Sequence, residues 1–127
     1  MEIDERMVEL VRERLRAFPL YEESHVVSVS GREDLRVVGY LPNWECGVDQ
    51  TKFWLNIQSN KGYILDFRIE ECKRRQGNGR RLYRIIEGLL KELGCNEIIL
   101  TASGYGLEFW PKMGFDIDKD KCKKRIV

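Results

Sequence analysis

The stretch from Tyr63 to Thr101 constrains the fold of this chain more than any other. It opens with a β-run, Tyr63-Ile64-Leu65-Asp66-Phe67-Arg68-Ile69, and passes through a polar loop, Glu70 to Gly79, that carries two glycines. A helix follows, with Leu82, Ile85, Ile86, Leu89, Leu90 and Leu93 at spacings of three and four residues, which is one apolar stripe. Gly94 ends it as a C-cap residue, and Glu97-Ile98-Ile99-Leu100-Thr101 then reads as a buried strand. Strand, helix, strand forms a βαβ unit. Its two strands lie parallel, joined by a right-handed crossover, because only that hand packs the helix back onto a twisted sheet.

The flanking segments fill in the rest. Ile3, Met7, Leu10, Val11, Leu15 and Phe18 predict an amphipathic helix over roughly 4–17, with Asp4 available as N-cap and Pro19 closing it. From His25 the texture is β-rich: 25–29, 35–40, 53–57 and 63–69, separated by Gly31, Pro42, Gly47 and Asn60-Lys61-Gly62. Such runs between turn signals predict an antiparallel meander. A short helix around 107–113, the Gly114-Phe115 turn and a C-terminal hairpin complete a mixed-sheet α/β (α+β) fold. At 127 residues one two-layer core, hence one domain, is expected over 1–127.

Charge restricts the partners. Lys plus Arg number 22 against 21 Asp plus Glu, for a formal charge of +1, so the chain lacks the basic excess of a dedicated nucleic-acid binder and none is expected as partner. Any polyanion site must be local. No apolar run approaches the ~20 residues that span a bilayer, and the N-terminus reads as a charged helix, which predicts a cytoplasmic protein. The four cysteines, Cys46, Cys72, Cys95 and Cys122, form no C-x-x-C pair, and His25 is the only histidine. Reduced, inert thiols are expected, with neither a zinc site nor a disulfide framework.

The local polyanion site is the loop. Gly77 and Gly79 let backbone amides face outward at a helix N-terminus, a geometry that binds phosphate. Lys73, Arg74, Arg75, Arg80, Arg81 and Arg84 cluster around it. Arg80 and Arg81 sit in the first helical turn, where each opposes the macrodipole at roughly 0.3–1 kcal/mol, a penalty that a bound polyanion reverses. The competing reading is a solvated charged face whose glycines only make a tight turn. Spacing rules out G-x-x-x-x-G-K-[ST], and a dinucleotide fingerprint would need a glycine where Leu82 stands.

The run Arg74-x-x-Gly77-x-Gly79, between a strand and a helix, resembles the acyl-CoA pyrophosphate loop of the GNAT N-acetyltransferase superfamily. Glu108-Phe109-Trp110-Pro111-Lys112-Met113-Gly114-Phe115 resembles that family's late F-[YW]-x-K-x-G-F segment. The likeness is good from about Tyr63 to Phe115. It implies a GNAT-like fold with acetyl-CoA as cofactor, whose pyrophosphate is held by the backbone amides of Arg75, Gln76, Gly77, Asn78, Gly79 and Arg80, with Arg74 opening the motif. It implies that the backbone around Arg68, at Phe67 and Ile69, bonds the pantetheine arm between splayed fourth and fifth strands, and that Phe109 and Trp110 line the thioester end. Dimerisation is common in the family.

The resemblance also implies direct attack of an amine on the thioester, with a base for the amine proton and an acid for the thiolate. Trp110 stands where many members carry the tyrosine acid, and an indole N–H is no useful proton source. Tyr105 is the nearby candidate. Ser103 replaces an asparagine, and Tyr63 occupies the position of the usual glutamate base. Strict alternation puts Tyr63, Leu65, Phe67 and Ile69 on one face and Asp66, Arg68 and Glu70 on the other. Glu45 and Asp49 are conceivable bases acting through water. No second helix is evident between Pro19 and His25, so the acceptor side is open or completed by another subunit, with Trp44, Trp54 and Tyr40 either lining it or lying in the core. The reading is an N-acetyltransferase acting on a primary amine of a small molecule, peptide or protein. Its alternative is a non-catalytic acyl-CoA sensor.

Overall fold

The computed structural model of the chain describes residues 5–31, 34–42, 45–46 and 49–127. Helix α1 spans Glu5–Leu15, and the proposed cap Asp4 lies outside the described residues. Four strands follow, β1 (Val26–Ser30), β2 (Leu35–Tyr40), β3 (Lys52–Gln58) and β4 (Lys61–Arg68), then a 3-10 turn over Glu71–Lys73 and the long helix α2 (Asn78–Glu92). Strand β5 (Glu97–Thr101), helix α3 (Gly106–Lys112), β6 (Asp116–Asp118) and β7 (Lys121–Arg125) complete the order.

All seven strands form one sheet in the order β1-β2-β3-β4-β5-β7-β6. The meander is antiparallel throughout, and β4 and β5 are parallel, as the βαβ pattern requires. Gln58 pairs with Lys61, so the β3–β4 hairpin turns on Ser59 and Asn60 alone. Both have positive φ, 51° and 62°, the primed turn whose twist matches that of the flanking strands.

The core lies on one side of the sheet. Val27, Leu35, Val37, Phe53, Leu55, Ile64, Ile98 and Leu100 point into a cluster with Val11 and Leu15 of α1, Leu82, Ile86, Leu89 and Leu90 of α2, and Trp110 of α3. The alternate positions Val38, Tyr40, Trp54, Asn56, Tyr63 and Ile99 are half-buried or exposed, and no described residue on that second face is buried. Among the described residues, three helices cover one face and none covers the other, which places Trp54 and Tyr40 outside the core. Trp44 lies outside the described residues. Among the described residues no helix is long and apolar enough to cross a membrane.

One departure from simple alternation changes which side chains share a face. Trp54 pairs with Asp66 while Leu55 pairs with Ile64, so Leu65 is an extra residue in β4. A bulge of this kind inverts the facing of everything beyond it. Phe67, paired with Phe53, thus shares the core face with Ile64, whereas Tyr63, paired with Asn56, lies on the open face beside Asp66. The alternation reading that grouped Tyr63, Leu65, Phe67 and Ile69 is corrected: Tyr63 and Phe67 are on opposite faces.

Candidate functional site

The site begins where β4 and β5 part. Their pairing runs from Lys61–Glu97 to Ile64–Leu100 and stops, while β4 continues to Arg68. Beyond Ile64 the β5-facing backbone edge of β4 has no strand partner. Leu65, 54% exposed, marks the opening. Phe67, Arg68 and Ile69 therefore present an edge to which an extended chain can hydrogen-bond as a strand would. The Ile69 carbonyl also accepts a bond from Arg74 Nε at 2.9 Å.

The loop after β4 is held from both ends. Arg74 Nη2 binds the Asp49 carboxylate, Lys73 Nζ lies 3.1 Å from Glu45, and the buried Asn78 side chain donates to the Lys73 carbonyl at 2.8 Å. These contacts commit Glu45 and Asp49, the two carboxylates considered as bases, to pinning the loop. Arg75 takes a left-handed conformation (φ 61°), and so does Gly77 (φ 81°), which caps α2 without any side-chain bond. The first helical bond runs from Arg81 N–H to the Gly77 carbonyl at 3.1 Å. The N–H groups of Asn78, Gly79 and Arg80 precede that bond and have no intrahelical partner, and no acidic residue stands in the first turn. A helix start of this kind can serve as an anion cradle. Arg75, Arg80 and Arg84 form no ion pair among the described residues, so their charge is available to the anion.

The two glycines do different work. Gly77 supplies the left-handed turn. Gly79 is helical, and a Cβ there would stand 3.2 Å from Phe109 Cε1, so its bareness lets α3 approach the start of α2. Phe109 is half-buried and stacks on Phe67 with centroids 5.7 Å apart. Trp110 is only 5% exposed and is the hub of an aromatic cluster, packed edge-on against Phe67, Tyr83, Phe109 and Phe115. The wall at the parting strands is thus Phe67 and Phe109, with Trp110 beneath them in the core. Tyr83 anchors the cluster through its hydroxyl to Glu87 at 3.0 Å, and Lys124 bonds the same carboxylate at 2.7 Å. Burial pushes the Tyr83 phenol well above its ordinary range, with Glu87 adding to the shift, so it stays protonated.

Neither hydroxyl of the two tyrosines considered for catalysis has a hydrogen-bond partner among the described residues. Tyr105 stands at the N-cap of α3, 78% exposed, beyond the C-terminal end of β5. Tyr63 pairs with Ile99 just before the strands part, on the open face. Ser103 is exposed in the β5–α3 connection, near Tyr105 in sequence.

One cluster escaped the sequence altogether. Cys46, Glu70 and Cys72 place their ligand atoms within 4.8 Å of one another, directly before the cradle. The buried Glu70 carboxylate accepts from Cys46 N–H at 2.8 Å and from Cys46 Sγ at 3.4 Å. Burial raises its carboxyl pKa, but bonds from Cys46, Glu45 and Cys72 more than offset this and hold it below the usual range. Cys46 and Glu70 are 24 positions apart, so no local spacing signalled it.

The fold is thus a mixed sheet whose two parallel strands part beside the N-terminus of the long helix α2. The chain belongs to the acetyltransferase (GNAT) family, whose family model matches residues 2–115. No curated protein gives a significant match. Solved structures share the fold. An acetyltransferase from Bacillus cereus aligns with a TM-score of 0.60 at 20% identity, over 98% of this chain and 96% of its own. The PaiA N-acetyltransferase of Thermoplasma acidophilum, in complex with coenzyme A, gives 0.56 at 20% identity over 73% of this chain; the match spans 61% of that protein's length. Tetrahymena GCN5 gives 0.54 at 10% identity, over 97% and 88%.

Proposed function

We propose that this protein is an acetyl-CoA-dependent N-acyltransferase acting on a primary amine. The observation that carries the reading is the cradle: unpaired N–H groups of Asn78, Gly79 and Arg80 at the start of α2, directly after the unpaired edge of β4. The residues present fit the cofactor. Amides of residues 75–80 would take the pyrophosphate, the edge at Phe67 and Ile69 the pantetheine amides, and Phe67 and Phe109 the apolar neighbourhood of the thioester. Bound acetyl-CoA supplies an activated acyl group to an attacking amine.

This chain contributes mainly positioning. Aligning donor and acceptor is worth several kcal/mol on its own, so transfer does not require an ideal acid and base. Tyr105, exposed beyond the end of β5, would give a proton to the departing thiolate. Tyr63 would contact an amine arriving over the second sheet face, where Trp54 and Tyr40 lie exposed or half-buried. That face would also accommodate a second copy of the chain. The cytoplasm is the compartment that supplies acetyl-CoA to such a protein. A second reading, an acyl-CoA sensor without turnover, is favoured by one observation: Trp110 occupies the tyrosine position and is locked in the core.

Calorimetric titration tests the proposal with acetyl-CoA, CoA and acetyl-pantetheine, which lacks the pyrophosphate. Tight binding of the first two and weak binding of the third is the expected pattern, lost in a folded Gly77→Glu variant. Equal binding of all three, or none, would refute it. Turnover against a panel of amines then separates transferase from sensor.

A further inference from the structure

We infer that Cys46, Glu70 and Cys72 form a three-ligand site for a thiophilic divalent cation of the zinc class, which clamps the loop before β3 to the root of the cofactor cradle. Three observations carry this. First, the ligand atoms converge within 4.8 Å of one another from three separate places: the β2–β3 connection, the exit of β4 and the 3-10 turn. Second, Cys46 Sγ and Glu70 Oε1 are 3.4 Å apart. Tetrahedral zinc, with bonds of about 2.3 Å to sulfur and 2.0 Å to oxygen, needs these ligands about 3.5 Å apart. Third, Glu70 is 2% exposed and has no basic side chain in a salt bridge among the described residues; thiols and backbone N–H groups surround it instead. A carboxylate lying against two thiols offers the mixed oxygen and sulfur donor set that zinc takes.

The donor set selects the metal. Two thiolates favour zinc over magnesium or calcium, and three protein ligands leave a fourth position for water or another donor. Binding converts two thiols to thiolates, so each cation taken up releases two protons while Glu70 enters already ionised. No redox change occurs. A disulfide between the same cysteines would not use the carboxylate that lies against them. Hydrogen bonds from Glu70 N–H to Thr51 Oγ1 (3.0 Å) and from Cys72 N–H to Cys46 Sγ (3.3 Å) already orient the donors. Because Cys72 sits in the turn that leads into Arg74–Gly79, occupancy would stiffen the cradle from its root.

The test is cobalt(II) added to the fully reduced protein, followed by zinc competition with a chromophoric chelator. Wild type is expected to show a thiolate-to-cobalt charge-transfer band saturating at one equivalent per chain, with two protons released per cobalt bound, and zinc should displace the cobalt without further proton release. Cys46→Ser and Cys72→Ser should each abolish the band, Glu70→Gln should weaken zinc binding at least tenfold, and Cys95→Ala should retain the site. Far-ultraviolet circular dichroism checks that each variant is folded. Absence of the band in wild type, its survival in the Cys46→Ser, Cys72→Ser double variant, or a Cys46–Cys72 disulfide that forms on air exposure in protein that takes up no metal once reduced would each overturn the inference. Metal uptake does not require acyl transfer, so it can fail while cofactor binding succeeds, and the reverse.

Discussion

Replacing Trp110 by alanine tests whether this side chain is a packing hub. Its ring is 5% exposed and meets four other aromatic rings at centroid distances of 4.8 to 5.5 Å. Truncating a buried tryptophan costs about 3–5 kcal/mol, since the removed area returns to water and the cavity collapses only partly. At ~2.1 cal/mol/K per residue, unfolding a 127-residue chain carries an entropy of roughly 270 cal/mol/K near its midpoint. A loss of ~4 kcal/mol therefore lowers Tm by about 15 °C. Tyr105→Ala is the control: at 78% exposure and without a partner it should shift Tm by less than about 2 °C. Scanning calorimetry, or urea unfolding with an unchanged m value, measures both. A drop below about 4 °C for Trp110→Ala, or equal drops for the two variants, would show that the aromatic cluster does not bear the load assigned to it.

Glu87→Gln removes the partly buried ion pair with Lys124 (2.7 Å) that ties α2 to β7; a loss of about 1–2 kcal/mol, roughly 4–7 °C in Tm, is expected by thermal unfolding. Burial pushes the His25 imidazole pKa down, and Glu22 only partly offsets this; its Nδ1 accepts from Glu22 N–H at 3.2 Å. The unfolded chain therefore takes up a proton before the folded one does, so stability should fall as pH drops below about 6.5, and His25→Gln should flatten that slope in urea titrations at several pH values. If Tyr105 protonates the leaving thiolate, Tyr105→Phe lowers kcat by ~10²–10⁴ with little change in acetyl-CoA affinity; unchanged kcat removes it from that role. Arg75→Glu, at an exposed loop position, should weaken CoA more than acetyl-pantetheine in the same calorimetric assay, because only CoA carries the phosphates.

The βαβ unit, the meander and the glycine-bearing loop that opens α2 were legible in the sequence because each rests on local rules. Apolar spacing sets the face of α2, and glycine placement frees the turn at Gly77. The late motif placed α3 within a residue at each end. The tertiary structure decided what depends on one-residue register or on distant partners. The bulge at Leu65 turns Tyr63 and Phe67 to opposite faces, since a strand has period two and one inserted residue inverts all that follow. Gly79 proved to serve the contact with Phe109, thirty residues on, rather than the turn. Trp110, which the motif set at the thioester, was drawn into the core by Tyr83 and Phe115. Cys46, Glu70 and Cys72 carry no shared spacing signal; only folding of the β2–β3 connection against the exit of β4 brings them together. Sequence determined which elements form and where a glycine-bearing basic loop opens a helix, because those are short-range properties of backbone and periodicity. Which side chains share the site was settled by long-range packing, which no local pattern records.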